Sequence, residues 1–306
     1  MSLGQVVDSL EGLAMSHEIL KVRSIFISDV HLGFRGCQAE ALLHFLHSTE
    51  AEYLFLVGDI VDFWSLKKTS YWPQQHTNVI RSILGKAKHN TKVIYIPGNH
   101  DEVMRQYVGH AFGNVEVHRD YIHETIDGKK LLVLHGDEFD VIVKNSRLLA
   151  KLGGRAYDAL LSLNHYVNKF RKLFNFSYWS LAAYLKHKVK NAVEFISSFE
   201  TALAHVARER KVDGVVCGHI HHAEIRQIGD VLYCNDGDWV ESCTSMVEHK
   251  DGRLELLSWA QEFERSTISQ IEELLGEHGF AGIAPTGSLE SASREESEGK
   301  RVDKAA

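Results

Sequence analysis

Five short apolar runs, each closed by a polar cluster, constrain this chain more than anything else in it. Val22 to Ile27 leads into Ser28-Asp29-Val30-His31, and Tyr53 to Val57 into Gly58-Asp59-Ile60-Val61-Asp62. Lys92 to Ile96 leads into Pro97-Gly98-Asn99-His100-Asp101, Leu131 to Leu134 into His135-Gly136-Asp137, and Gly214 to Cys217 into Gly218-His219-Ile220-His221. Continuous apolar runs this short read as strands buried on both faces. Residues two apart on an extended chain point the same way, so Asp29 and His31 converge just past their strand. Pro97 removes a ladder donor and ends the third run. Helical spacing at 37–49, through Ala41, Leu42, Phe45 and Leu46, and again at 74–88, fills the gaps between runs. Later strands are expected at 231–234, 244–249 and 253–259, with turn signals at Asp127-Gly128, Gly229-Asp230 and Asp251-Gly252. Alternating helices and apolar strands indicate an α/β class.

Composition narrows the function classes. The chain has 306 residues, 44% hydrophobic and 25% charged, which suits a globular protein with a sizeable core. Its net charge of −7 offers no overall basic field, so no nucleic-acid partner is expected. Four scattered cysteines without a Cys-x-x-Cys pair read as buried thiols in a reducing compartment. The first 20 residues resemble no signal peptide, and no stretch reaches the roughly 18 apolar residues of a membrane span. A cytoplasmic protein is therefore expected, with peripheral contact at the inner membrane face as its closest approach to lipid. The expected organisation is a loosely ordered lead-in (1–20), a core (21–143 and 201–265) and a helical insertion (144–200). A C-terminal helix (266–283) and a disordered Ser/Glu/Lys-rich tail (284–306) complete it.

The five strand tips collect Asp29, His31, Asp59, Asn99, His135, His219 and His221. Singly, each has an ordinary explanation: a Gly-Asp turn, a core histidine, a surface His pair, an Asn that favours a turn. Together, on five strand-to-loop junctions, they form an oxygen and imidazole donor set without sulfur. Such a set suits Mn²⁺, Fe²⁺, Zn²⁺ or Mg²⁺. Seven donors exceed the needs of one four-coordinate zinc and fit two ions sharing a carboxylate.

These motifs resemble the signature of the calcineurin-like metallophosphoesterases over about residues 22–260. The resemblance implies a four-layer αββα sandwich with a two-metal centre, Mn²⁺ being the expected ion. It places Asp29, His31 and His221 on one ion and Asn99, His135 and His219 on the other, with Asp59 bridging. It also implies that His100 stabilises or protonates the leaving oxygen and that Asp62 orients His100.

The insertion at 144–200 is aromatic and basic, with ten Lys and Arg against three Asp and Glu. That asymmetry reads either as a solvated basic face over an aromatic core or as a cap for an anionic, amphiphilic substrate. Arg155, Lys169, Arg171, Lys172 and Trp179 are its candidate substrate-binding residues. Clusters and insertion together are similar to the UDP-2,3-diacylglucosamine hydrolase group, which cleaves a pyrophosphate linking UMP to a diacylated sugar phosphate. Well-defined members of that group carry Arg where this chain has His100. The run Asn235-Asp236-Gly237-Asp238-Trp239-Val240-Glu241-Ser242 is more similar to a neighbouring branch. Alternative readings of the same site are a phosphoprotein phosphatase, a nuclease, or a scaffold of this fold without chemistry.

Overall fold

A computed structural model describes residues 19–141 and 181–277. The five apolar runs are strands. They occur as β1 (Leu20–Ile27), β2 (Thr49–Val57), β3 (Lys92–Ile96), β7 (Lys130–Val133) and β8 (Gly214–Cys217). The last four residues of β1, β2, β3 and β8 are all buried, Ser24 of β1 being the one polar side chain among them.

The strands divide between two sheets. Short strands β4 (Ala111–Phe112) and β5 (Val115–Val117) join β11 (Thr244–Glu248), β12 (Leu254–Ser258) and β1–β3 in the order β12-β11-β1-β2-β3-β5-β4. The second sheet runs β6-β7-β8-β10-β9, where β6 is Tyr121–Glu124, β9 Glu224–Ile228 and β10 Val231–Asn235. Within the first sheet β1, β2, β3 and β5 pair in parallel, and within the second β7, β8 and β10 do. Parallel strands present all their C-terminal ends at one edge. That is why five clusters scattered from Asp29 to His221 can meet.

The inner faces of the sheets share one core, with Phe26, Phe55, Val57, Ile94 and Ile96 against Leu131, Val133, Val216 and Cys234. Phe26 and Phe55 stack with centroids 4.7 Å apart. The outer face of the first sheet packs against α1 (Ala39–His47) and α3 (Gln74–Lys88) through Leu42, Phe45, Val79 and Ile83. The outer face of the second packs against α4 (Leu181–Arg210) through Phe199, Leu203, Ala204 and Ala207. Helix, sheet, sheet and helix form the four layers. A short helix, α2 (Phe63–Leu66), follows Asp62, whose side chain caps it by accepting from Ser65 N.

The element boundaries differ from the sequence reading in several places. Strands β4, β5, β6 and β9 carry no strong apolar signal. Helix α4 passes unbroken through residue 200, where the insertion was expected to end. The last helix, α5 (Ala260–Glu277), begins six residues before the expected 266. The main compact unit ends at Phe263, and the rest of α5 belongs to a second unit. Arg155, Lys169, Arg171, Lys172 and Trp179 lie outside the described residues, as do the tail and most of the lead-in. No helix among the described residues is long and apolar enough to cross a membrane.

Candidate metal centre

The loops after β1 and β2 remain paired beyond the strands themselves. Asp29 N donates to Gly58 O at 3.0 Å, His31 N to Asp59 O at 2.9 Å, and Leu32 N to Ile60 O at 2.9 Å. Asp29, His31 and Asp59 hold φ of 51°, 56° and 54° while doing so. His219 and His221, on the loop after β8, hold 73° and 53°. Left-handed backbone is unfavourable for non-glycine residues and concentrates where surrounding structure enforces it. Five of the seven candidate ligands stand in that region.

Three overlapping groups result, each with one ligand atom per residue within 4.8 Å of the others: Asp29, His31 and His221; Asp59, His135 and His219; and His31, Asp59 and His100. Asp59 and His31 each belong to two of them, and the group they share links the other two. Asp29 Oδ1 stands 3.1 Å from His221 Nε2 and 3.8 Å from His31 Nε2, and Asp59 Oδ2 stands 3.4 Å from His135 Nε2. His135 Nδ1 lies 2.8 Å from Val57 O. Donation there leaves Nε2 as the lone-pair nitrogen turned into the centre.

The chemistry of unsatisfied atoms tests whether a cation fits. Asp29 Oδ1, His31 Nε2, Asn99 Oδ1 and His135 Nε2 are buried without a hydrogen-bond partner. Buried polar atoms are nearly always paired. Four orphans on four candidate ligands, all oxygen or imidazole donors, match a divalent cation.

The electrostatics agree. Burial works against charge on His31 and His135, yet the carboxylates of Asp29 and Asp62 beside the first, and Asp59 beside the second, push them up to about 9 and about 10. Burial also opposes ionisation of Asp29, but His221 and His31 hold its carboxyl well below the usual range. Asp59 is likewise held low against burial by His135. The pocket therefore demands positive charge.

His100 and Asp62 sit together at the mouth. His100 Nδ1 lies 3.0 Å from Asp62 Oδ1, an ion-pair distance without hydrogen-bond alignment. His100 N donates to Asp59 Oδ1 at 2.7 Å, the His31 ring meets the imidazole edge-on at 4.6 Å, and Trp64 lies over it at 4.2 Å. Burial opposes ionisation of Asp62 too, but His100, His31 and Ser65 hold it far below the usual carboxylate range.

Supporting residues escaped the sequence reading. Asp101 is fully buried and accepts from Gly98 N at 2.6 Å, Ile60 N at 2.8 Å and the Tyr95 hydroxyl. It ties the loop after β2 to the loop after β3. Asp236 accepts from Ser28 Oγ at 2.6 Å, Asn235 Nδ2 donates to Gly218 O at 2.8 Å, and Trp239 N donates to Asp29 O at 3.1 Å. The Asn235–Trp239 run thus holds the first-sheet loop at Asp29 against the second-sheet loop at Gly218. Its polar residues were visible in the sequence, but not their long-range partners.

With the geometry in place, the comparisons with known proteins decide the family. The sequence pattern described as calcineurin-like phosphoesterase matches residues 22–223, which takes in all seven candidate ligands. The chain belongs to the calcineurin-like phosphoesterases. It is accordingly a metal-dependent phosphoesterase. Among curated proteins it is similar to a UDP-2,3-diacylglucosamine hydrolase of Blochmanniella pennsylvanica, 24% identical over 207 residues, covering 67% of this chain and 81% of that one. Among solved structures it is similar to an archaeal phosphodiesterase at 12% identity and TM-score 0.37, covering 76% of this chain and 98% of that one. The E. coli phosphoesterase Yfce is similar at 14% identity and TM-score 0.37, with 77% and 98% covered.

Proposed function

We propose that this calcineurin-like phosphoesterase hydrolyses a phosphodiester or pyrophosphate bond in a nucleotide-linked lipid such as UDP-2,3-diacylglucosamine, or in a similar amphiphile. The observation that carries the reaction class is the set of orphaned buried atoms on Asp29, His31, Asn99 and His135 around the shared Asp59. Asp29, His31 and His221 would hold one divalent ion, Asn99, His135 and His219 the second, and Asp59 would serve both. Mn²⁺ is the ion proposed for this mixed set of three oxygen and four imidazole donors, with Fe²⁺, Zn²⁺ and Mg²⁺ as the alternatives. Bound there, such ions supply an activated water and neutralise the phosphoryl oxygens.

The protein's own groups do the rest. His100, beside Asp62 and exposed enough to reach substrate, donates the proton that the leaving oxygen takes up. A positioned histidine is worth about 10²–10⁴-fold in such a step. Asp62 orients the ring through Nδ1, which leaves Nε2 for the substrate side. Trp64 and His31 restrict the imidazole from two directions. The substrate class is supported by the name of the 24% identical relative and by the basic, aromatic composition of residues 144–200. A cleft beside His135 is lined by apolar Leu134, Phe139 and Val206 and by Arg105, Arg119 and Arg210, which pair with Asp137, Glu138 and Asp120, so its surface is mixed rather than cationic.

The test compares a chromogenic diester, the matching monoester and a UDP-linked pyrophosphate with Mn²⁺ present. Hydrolysis of pyrophosphate or diester that disappears in Asp59→Asn is expected. Undiminished turnover by Asp59→Asn would refute the site. A preference for the monoester would favour a phosphatase, and cleavage of oligonucleotides a nuclease.

A further inference from the structure

We infer that Asp140 is a positioning residue for the metal centre, fixing which nitrogen of His219 faces the ion shared with Asp59 and His135. The inference rests on the two-ion reading above. Asp140 follows β7 by seven residues, at the end of a 3₁₀ turn spanning Asp137–Val141. Its Oδ1 stands 2.9 Å from His219 Nε2, and the two side chains are only 8% and 6% exposed. An ionised carboxylate can only accept, so with Asp140 ionised the proton in this contact sits on His219 Nε2. The imidazole then has Nδ1 as its lone-pair nitrogen, and Nδ1 is the atom left to ligate. Carboxylate, histidine and metal in series is the arrangement that fixes ring orientation and raises ligand basicity.

The ring is confined on other sides as well. His135 meets it at 5.1 Å and 69°, and Phe199 of α4 at 6.1 Å. The His219 amide donates to Asp29 Oδ2 at 2.7 Å, which fixes the backbone but leaves rotation about the side chain open. Packing can hold the plane of an imidazole. It cannot distinguish one ring nitrogen from the other, because the two faces are nearly isosteric. Only a polar partner makes that choice, and Asp140 is the polar partner found at Nε2. His135 makes the same choice differently, through the Val57 carbonyl on Nδ1. The two imidazoles facing Asp59 are thus set by opposite nitrogens, one by backbone and one by Asp140.

The effect should be confined to one ion. Asp29, His31 and His221 form a group without His219, so their ion should be insensitive to Asp140. Loss of such an outer partner typically costs about 10–100-fold in metal affinity.

The experiment titrates Mn²⁺ into chelator-stripped full-length protein by calorimetry, for wild type, Asp140→Ala and Asp140→Asn. Wild type should bind two ions. Asp140→Ala should weaken one of them about 10–100-fold and leave the other unchanged. Asp140→Asn keeps an acceptor oxygen and should recover most of the lost affinity. A purely structural role would instead weaken both sites together or lower stability with no selective loss. If Asp140→Ala binds both ions as wild type does, the positioning role is overturned. If wild type itself binds no Mn²⁺, the two-ion reading fails first, which is a different result. Should Asp140→Ala fail to fold, ¹⁵N-histidine NMR of metal-free wild type and Asp140→Asn keeps the question open to refutation. At a pH where the ring is neutral, a single proton at Nε2 in both supports the inference, and a single proton at Nδ1 in wild type overturns it.

Discussion

Gly98→Ala should damage the centre without removing any of its donor atoms. A methyl group at residue 98 would lie 2.3 Å from Asp59 Oδ1 and 2.6 Å from His135 Nε2. Both neighbours are candidate ligands of the same ion. Ordinary contact needs a displacement of roughly 1 Å, and the interior is too close-packed to absorb it elsewhere. The Gly98 amide still donates to Asp101, so the loop keeps its anchor and the strain falls on the carboxylate. A misplacement of about 1 Å can cost about 10²-fold in rate, and overpacking about 1–3 kcal/mol in stability. The assay measures kcat/KM on a phosphodiester at saturating Mn²⁺, with the urea midpoint measured in parallel. The control is Gly85→Ala in α3, where nothing lies within 4 Å of the added methyl. That change should raise stability by about 0.5–1 kcal/mol and leave the rate alone. Wild-type kcat/KM and full metal occupancy in Gly98→Ala would refute the placement of Asp59 and His135 around a common ion.

Further outcomes follow from the same physics. Metal-free protein should lose stability as pH rises from about 6.5 towards 10. His31 and His135, pushed up to about 9 and about 10, bind protons there that the unfolded chain has released. Melting temperature against pH, with and without chelator, checks this; a metal-free melting temperature that climbs across the window contradicts it. Glu248→Ala should cost about 3–5 kcal/mol, because it strips buried His123 and partly buried Arg23 of the carboxylate they meet at 2.7 and 2.8 Å. A urea midpoint shifted by less than about 1 kcal/mol would show that water replaces the carboxylate. His100→Ala should slow substrates with a basic leaving oxygen by about 10²-fold or more and spare a nitrophenolate, which needs no proton. Equal losses on both would remove His100 from proton donation.

The sequence exposed the strand tips because chemistry and periodicity coincide there. Burial on both faces makes the C-terminal ends of β1, β2, β3 and β8 short, mostly apolar runs, and Asp, Asn or His follows each within two or three residues. Edge strands gave no such signal. Both residues of β4 are exposed, and β9 sets Glu224, Arg226 and Gln227 around two isoleucines without regular alternation. Residue 200 falls inside α4, where Phe199, Leu203 and Ala207 continue one buried helical face. The left-handed backbone at Asp29, His31, Asp59, His219 and His221 is hidden too, since Asp and His are enriched at positive φ yet most of them in any chain do not adopt it. Partners distant in sequence were equally hidden: Asp140 for His219, and Asp236 for Ser28.

The claim that seven side chains from two sheets share a pair of cations is tested most directly by anomalous diffraction from crystals grown with Mn²⁺. Two peaks about 3.5–4 Å apart, with Asp59 between them, are the predicted result. A single peak, or two peaks lying away from Asp59, would contradict it.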